Sequence, residues 1–404
     1  MKSRPFLVLA LSALALRVAC ALVTEVAPIF PAYYYTDARL SHEAAVTALR
    51  AKEQGGQPVF EGPRAARVQV FLVYQLYRLT GPRPLVVKLV NALLGAAGVA
   101  LLAWLFSLAF SMRAAILSGL LVAVWPSHVF YTSQNLKEAP ANLLAYAGLS
   151  CLLAAVFSAE TPRARRAAFI AGAVLAMIGV GFYRPPVLTA LSAALLAALL
   201  FAVVLSSGRR LQALAAVGVV AAALTLYTWM SRRADAYESQ LIPAVSPTGL
   251  DVYRKAQVRV GHEMARNLGK RELGTSLYPE TEFKNWGDVL AYLPKASFTV
   301  LFMPLPILYP MDGKIGRIAA SGENLLLLLI TALAVVGITR GPKTPARLGL
   351  LVFFAVLTVG AALFEIDLGS AGRHKLLYLP MLFPFAAEEL LRLSGAPWRP
   401  WQAG

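Results

Sequence analysis

LVVKLVNALLGAAGVALLAWLF, residues 85–106, carries one charge, Lys88, and one amide, Asn91, in a run that is otherwise apolar or small. Coiled as a helix at ~1.5 Å per residue, a run of this length matches the ~30 Å hydrocarbon core of a bilayer. Both its faces are apolar, so its surroundings are lipid or other helices.

The same pattern recurs on either side of it. Runs near 5–25, 85–110, 114–131, 139–158, 167–182, 186–206, 211–230, 323–339, 348–364 and 376–392 predict about ten spans. Of the 404 residues, 58% are hydrophobic and 15% charged, and the mean hydropathy is +0.62. A soluble globular domain is excluded on that balance. The expected fold is all-α, a polytopic transmembrane helix bundle forming a single domain over residues 1–400, because lipid offers backbone groups no partner but their own helix.

The net charge of +17 suggests nucleic acid until the basic residues are placed. They fall in short clusters between the runs: Lys2 and Arg4; Arg113; Arg163, Arg165 and Arg166; Arg209 and Arg210; Arg340, Lys343 and Arg347; Arg399. These clusters alternate with loops of the other side, so the positive-inside rule predicts both termini in the cytoplasm. All acids except Glu160, Glu388 and Glu389 then fall outside, which assigns the polar chemistry to the exoplasmic face. Cys20 and Cys151 both lie in predicted spans, and no disulfide is expected. The opening MKSRPFLVLALSALALRVACALV also fits a cleaved signal peptide. Arg17 stands where a lipoprotein site at Cys20 wants an aliphatic residue.

Two outer loops are long, 26–84 and 231–322. In the first, residues 37–54 read as a helix on the membrane surface ended by Gly55-Gly56, and 65–79 as a second one ended by Gly81-Pro82. In the second, 251–267 reads as a helix, and ASFTVLFMPLPILYP, 296–310, as a re-entrant or interfacial segment too short and proline-broken to span.

Charges that gain nothing from orientation, or that sit at membrane depth, are costly and mark candidate sites. On the outer side they are Lys137 and Glu138 in SQNLKEAP, Arg184 in FYRPP, and Arg373, His374 and Lys375 in GSAGRHK. A lipid phosphate or pyrophosphate suits such cations. The plainer alternative pairs Lys137 with Glu138 and lets Arg373 and Lys375 snorkel among headgroups. Arg17 is expected to pair with Glu25 or to face a cavity.

At the start of the first surface helix, YYYTDARLSHEA, residues 33–44, places Asp37 either as a cap or as a base for an acceptor hydroxyl. Arg39, His42 and Glu43 are substrate-contact candidates, as are Glu138 and His374. His42 and Glu43 do not share Asp37's face, which argues against a metal held by the three. HEMAR, 262–266, lacks the second histidine of a zinc helix.

These segments together resemble the GT-C superfamily of polytopic glycosyltransferases, the group of the protein mannosyltransferases and the aminoarabinose transferase of lipid A. The resemblance runs through YTDARLSHEAAVTAL, GGQP, LVVKLVNALLGAAGVALLAWLF, AVWPSHVFYTSQNLKEAPANLLAY and GSAGRHKLLYLPMLFPFAA, and covers about the first 190 residues and the final 40. It implies a polyprenyl-phosphate sugar or polyprenyl-pyrophosphate glycan as donor. The implied acceptor is a glycan, lipid or protein, on the exterior of a bacterial inner membrane. By the same resemblance Asp37 matches the catalytic acid, Lys137 and Glu138 the polar site of the second loop, and Arg373 the phosphate-facing loop. Arg184 and Lys375 join the expected phosphate contacts. Many members have paired acids where Asp37 is followed by Ala38, which leaves a divalent metal open. Two rivals remain: a lipid-linked glycan polymerase or ligase relying on arginine, and a transporter or flippase for the same lipid, which the absence of internal repeats opposes.

Overall fold

The structure is a computed structural model that describes residues 4–27, 36–61, 64–157, 162–184, 192, 246–267, 275–310 and 315–395. The predicted spans at 186–206 and 211–230 lie outside the described residues but for residue 192, as do tyrosines 33–35. Every regular element described is helical, and the chain divides into two compact units. The first takes Met1–Tyr227, Ile330–Phe353 and Pro380–Gly404, and the second Thr228–Leu329 and Phe354–Leu379.

Among the described residues, five helices are long and apolar enough to cross a membrane: α1 (Arg4–Val26), α4 (Pro84–Ser107), α8 (Arg163–Tyr183), α11 (Ile315–Arg340) and α12 (Pro345–Phe364). A sixth is reached if the bent pair α5 (Met112–Val124) and α6 (Pro126–Thr132) is one span. The 20-residue α7 (Glu138–Phe157) occupies the place of the predicted 139–158 span. The surface helices appear as α2 (Thr36–Glu53) and α3 (Arg64–Thr80), with Gly55 and Gly81 at φ 81° and 77°, a left-handed conformation that glycine adopts without strain.

Two expected spans are broken. The run 114–131 bends by 64° between α5 and α6, because Pro126 supplies no amide and cannot continue α5. The last run, 376–392, is not one helix. It forms two 3-10 turns, Lys375–Leu377 and Leu379–Leu382, and then the 11-residue α14 (Phe383–Leu393), since Pro380 and Pro384 remove two donors from the ladder.

In the first unit α4 packs against α1, α5 and α7, and α7 against α8. The buried face of α1 runs Leu9, Ala13, Arg17, Ala21, Thr24, a spacing of one helical stripe. Arg17 is wholly buried and does not pair with Glu25. It donates to Thr132 Oγ1 at 2.9 Å, to the carbonyls of Ala13 and Ala123 at 3.0 and 3.3 Å, and to His128 Nδ1 at 2.8 Å. The break between α5 and α6 takes the helical donor from the Ala123 carbonyl, and the guanidinium supplies one. Glu25 bonds Lys88 instead, at 2.7 Å.

Two of the three acids that stood apart in the sidedness pattern, Glu388 and Glu389, are paired. Arg347 grips Glu388 through two 2.6 Å bonds, donates to the Ala109 carbonyl at 3.0 Å and lies 4.2 Å from the Phe110 ring. Arg340 bonds Glu389 at 3.1 Å. Gly337 admits the α14 backbone, since a Cβ there would stand 2.3 Å from the Phe385 carbonyl oxygen.

The second unit contains α9 (Pro247–Asn267), α10 (Trp286–Phe302) and the seven-residue α13 (Leu368–His374). Asn285 and Asp288 close a capping box at the start of α10. The apolar stretch 296–310 is split, its first half ending α10 and the rest running non-helically from Met303. Leu250, Phe283 and Val289 form a small core with Tyr292, Leu363 and Phe364 against it.

Candidate active site

Asp37 lies in the first turn of α2 and is exposed. The unpaired amides of a helix start favour a carboxylate there. Its neighbours on α2 are engaged with one another or with α3. Arg39 and Glu43 form a 3.3 Å ion pair one turn apart, with both side chains more than half exposed. His42 Nδ1 lies 2.7 Å from the Tyr77 hydroxyl on α3, and burial raises that phenol to about 12, with Glu25 adding to the shift. Ala45 and Ala48 then seat α2 against Val70, Val73, Tyr74 and Tyr77.

Against this turn of α2 lies the segment 133–137, which bonds α1, α2, α3 and α4. Asn135 donates its amide to the Ala38 carbonyl at 3.2 Å and accepts from Gln69 on α3 at 3.2 Å. Asn91 on α4 donates to the carbonyls of Gln134 and Leu136 at 2.5 and 2.9 Å. Gln134 reaches Thr24 on α1 at 3.1 Å, and Lys88 lies 3.5 Å from the same hydroxyl. Ser133, Gln134 and Asn135 are buried, while Lys137 at the end of the segment is half-buried. The structure thus ties the strip carrying Lys137 to the strip carrying Asp37.

Two expected phosphate contacts are buried among protein partners. Arg184 bonds Glu138, not solvent, at 2.6 Å, with side chains 7% and 1% exposed. Glu138 thus has Arg184 as a buried partner. Lys375, in the second unit, is 4% exposed. Its Nζ donates to the Leu301 carbonyl at 3.1 Å and to Asn324 Oδ1 at 2.6 Å, while Asn324 donates to the Pro304 carbonyl. Burial lowers this ammonium to about 8. It does not snorkel, because its carbonyl partners lie inside the unit. Of the other two residues of this stretch, Arg373 is half-buried and His374 pairs with Glu365.

Half of the residues missed by the sequence reading are amides, Gln69, Asn91, Gln134 and Asn135; the others are Thr24, Lys88, Arg254 and Glu365. Lys88 and Asn91 had a signal, since they interrupt the apolar run 85–106 just as Arg17 interrupts the first. The amides of 133–135 gave none, because an uncharged polar loop at a membrane edge is ordinary. Among the described residues no three histidine, cysteine or acidic side chains gather to hold a metal.

No family model matches the sequence, and no curated protein matches it at a significant level. Solved structures share its fold, three of them as follows. ArnT from Cupriavidus metallidurans, bound to undecaprenyl phosphate, aligns with a TM-score of 0.52 and 16% identity over 94% of this chain and 60% of its own. The oligosaccharyltransferase AglB from Archaeoglobus fulgidus, in complex with an inhibitory peptide and a dolichol-phosphate, aligns with a TM-score of 0.50 and 12% identity, over 98% of this chain and 52% of its own. The apo oligosaccharyltransferase of the same organism gives a TM-score of 0.50 over 95% and 51%. The chain thus spans between half and three-fifths of the length of these proteins. At such identities the likeness shows architecture, and the architecture is a GT-C-like, multi-pass helical membrane fold.

Proposed function

We propose that the chain is an inverting glycosyltransferase. It takes a sugar from a polyprenyl-phosphate or polyprenyl-pyrophosphate donor and passes it to an acceptor at the exoplasmic face of a bacterial inner membrane. In this reading the acceptor hydroxyl attacks the anomeric carbon, its proton goes to the Asp37 carboxylate, and the lipid phosphate leaves toward cations. Lys137 is the cation that the unit carrying Asp37 offers to a phosphate; Arg373 lies in the other unit, and its assignment rests on the resemblance alone. Arg184 and Lys375 act through the frame, since each is buried on internal partners. Arg39, His42, Glu43, Glu138 and His374 remain near-site residues, of which Arg39 and Glu43 have each other.

The observation that carries the proposal is the Asn135 to Ala38 bond, which holds a carboxylate-bearing helix start and a lysine-bearing strip in one rigid frame. A base and a phosphate-binding cation need such preorganisation to act together. The GT-C-like fold supports it, because ArnT and AglB are bound to lipid phosphates.

The test is incubation of the purified protein with defined polyprenyl-linked sugars and mass spectrometry of the lipid and glycan products. Absence of transfer from every donor overturns the proposal. With a working donor, Asp37→Asn should lower turnover by at least ~10²-fold while donor binding persists. A ligase that relies on arginine would barely respond to that substitution.

A further inference from the structure

The second unit holds an imidazole on a carboxylate inside a frame that fixes both. Glu365 follows α12, its side chain 13% exposed, and Oε1 contacts His374 Nδ1. The main chain around it is clamped by Arg254, which is itself buried. One amino group of Arg254 donates to the Leu363 and Glu365 carbonyls at 2.9 and 3.4 Å, the other to the Leu277 carbonyl at 3.1 Å. Its guanidinium also lies 5.1 Å from the centre of the Tyr292 ring. On the far side, the Leu277 amide bonds the Ile366 carbonyl and the Leu368 amide bonds the Thr275 carbonyl. Asp367 caps α13 on the Ser370 amide and accepts from the Thr275 hydroxyl.

His374 closes α13 with its side chain 31% exposed. The carboxylate beside the ring is therefore held by fixed main chain and largely dry, while the ring keeps part of its surface exposed. The carboxylate favours the doubly protonated ring. Charged and titratable groups near it include Arg373 beside it in the chain, Lys375 on Asn324 and Leu301 with Glu323 acting on it, the buried Tyr378 on which Glu365 acts, Asp367 in its cap, and Arg254 on the carbonyls. An imidazolium beside an arginine suits one anion class above others. A phosphate monoester takes its second proton near pH ~6, close to the ~6.5 of an ordinary imidazole, so the proton passes between them at little cost.

We propose that His374 is a proton donor to a phosphate group, with Glu365 as the residue that positions and charges it. The inference rests on the transferase reading for its chemical step. When the bond between the anomeric carbon and the phosphate oxygen breaks, its electron pair stays on that oxygen, and the Nε2 proton of His374 moves to the phosphate. The anomeric carbon is taken by the acceptor oxygen, whose own proton leaves to a base. A neutral ring remains on Glu365 and is reprotonated from water before the next turnover.

The test is histidine modification by diethyl pyrocarbonate in the full-length protein in detergent, read by peptide mass spectrometry as a function of pH. Only the neutral ring reacts, so the midpoint for His374 should fall by about one pH unit in Glu365→Gln. Saturating polyprenyl phosphate should slow its modification by about tenfold, while the polyprenol alone should not. Inorganic phosphate distinguishes the source: protection only with the lipid assigns a lipid headgroup, and equal protection assigns free phosphate. An unmoved midpoint in a folded Glu365→Gln protein, or no protection by either phosphate, overturns the inference.

If Glu365→Gln fails to fold, His374→Gln replaces it. With a working donor, that variant should lower kcat about 10²-fold with little change in KM, and the fall in rate at alkaline pH should disappear. An unchanged kcat and alkaline limb overturn the inference. Protection by polyprenyl phosphate without transfer from any donor would sink the transferase reading and leave the phosphate site standing. Transfer with His374 unprotected would do the reverse.

Discussion

Arg184 and Glu138 meet at 2.6 Å, one just past the end of α8 and the other at the start of α7, so the bond closes the open end of a helical hairpin. Both side chains are almost wholly buried. Removing one partner takes the counter-ion from the other buried charge, which costs about 3–5 kcal/mol, whereas removing both together costs far less. Arg184→Met and Glu138→Gln should each lower the thermal midpoint markedly, and the double variant should recover much of the loss. If Arg184→Met instead leaves the melt unchanged and raises the KM for donor, Arg184 binds phosphate directly.

Asn135 makes a different kind of contribution. Its side chain holds a backbone carbonyl one residue from Asp37, and it is held in turn by Gln69. Asn135→Leu, similar in size and without the amide, should lower kcat by about tenfold through a misplaced carboxylate, with the KM for donor little changed. The check is steady-state kinetics beside a melting curve. A change in stability with unaltered kcat would reduce Asn135 to a structural amide.

How much of this was legible in the sequence depends on what each element answers to. Hydrophobic runs answer to lipid, so α1, α4, α8, α11 and α12 were readable from length alone. Helix ends answer to glycine, and Gly55 and Gly81 closed α2 and α3 where expected. The two broken spans were half legible. Their prolines were visible, but the choice between a kink and a complete break depends on whether something satisfies the freed carbonyls. For α5 and α6 that something is Arg17, 106 positions from Ala123. Charges out of place led to Arg184, Glu138, His374 and Lys375, yet not to their pairings: that Glu138 meets Arg184, and that Glu365 and Asn324 take the other two, shows only once the chain is folded. Pairing Arg17 with Glu25 failed for the same reason: sequence distance favoured Glu25, while the broken helix offered unsatisfied carbonyls.

Gly95 shows how little room this arrangement leaves. A Cβ there would stand 2.7 Å from both Thr132 Cβ and Oγ1 and 3.0 Å from Arg17 Nε. Gly95→Ala should therefore push α4 away from the Arg17 bonds and cost about 1–3 kcal/mol, although alanine is the better helix former. Gly98→Ala, where the nearest atom is a Tyr146 ring carbon at 3.7 Å, should be tolerated. The comparison is read from paired thermal melts, and equal effects at both positions would contradict tight packing around Arg17.

Lys375 predicts an unusual pH dependence. Burial lowers its ammonium to about 8 in the folded chain, against 10.5 for an ordinary lysine. Below pH ~8 both folded and unfolded forms carry the proton, and the cost of burying the charge is present in full. Between ~8 and ~10.5 the unfolded chain binds more protons than the folded one, so stability rises with pH over that window by up to about 3 kcal/mol. Lys375→Met removes the titrating group and should flatten this rise, whatever it costs in lost bonds to Leu301 and Asn324. The measurement is the difference in unfolding free energy between wild type and variant at pH 7.5 and 10. A difference that stays constant across the window would mean that the buried ammonium is held as readily as in water, with Asn324 and the Leu301 carbonyl offsetting its desolvation completely.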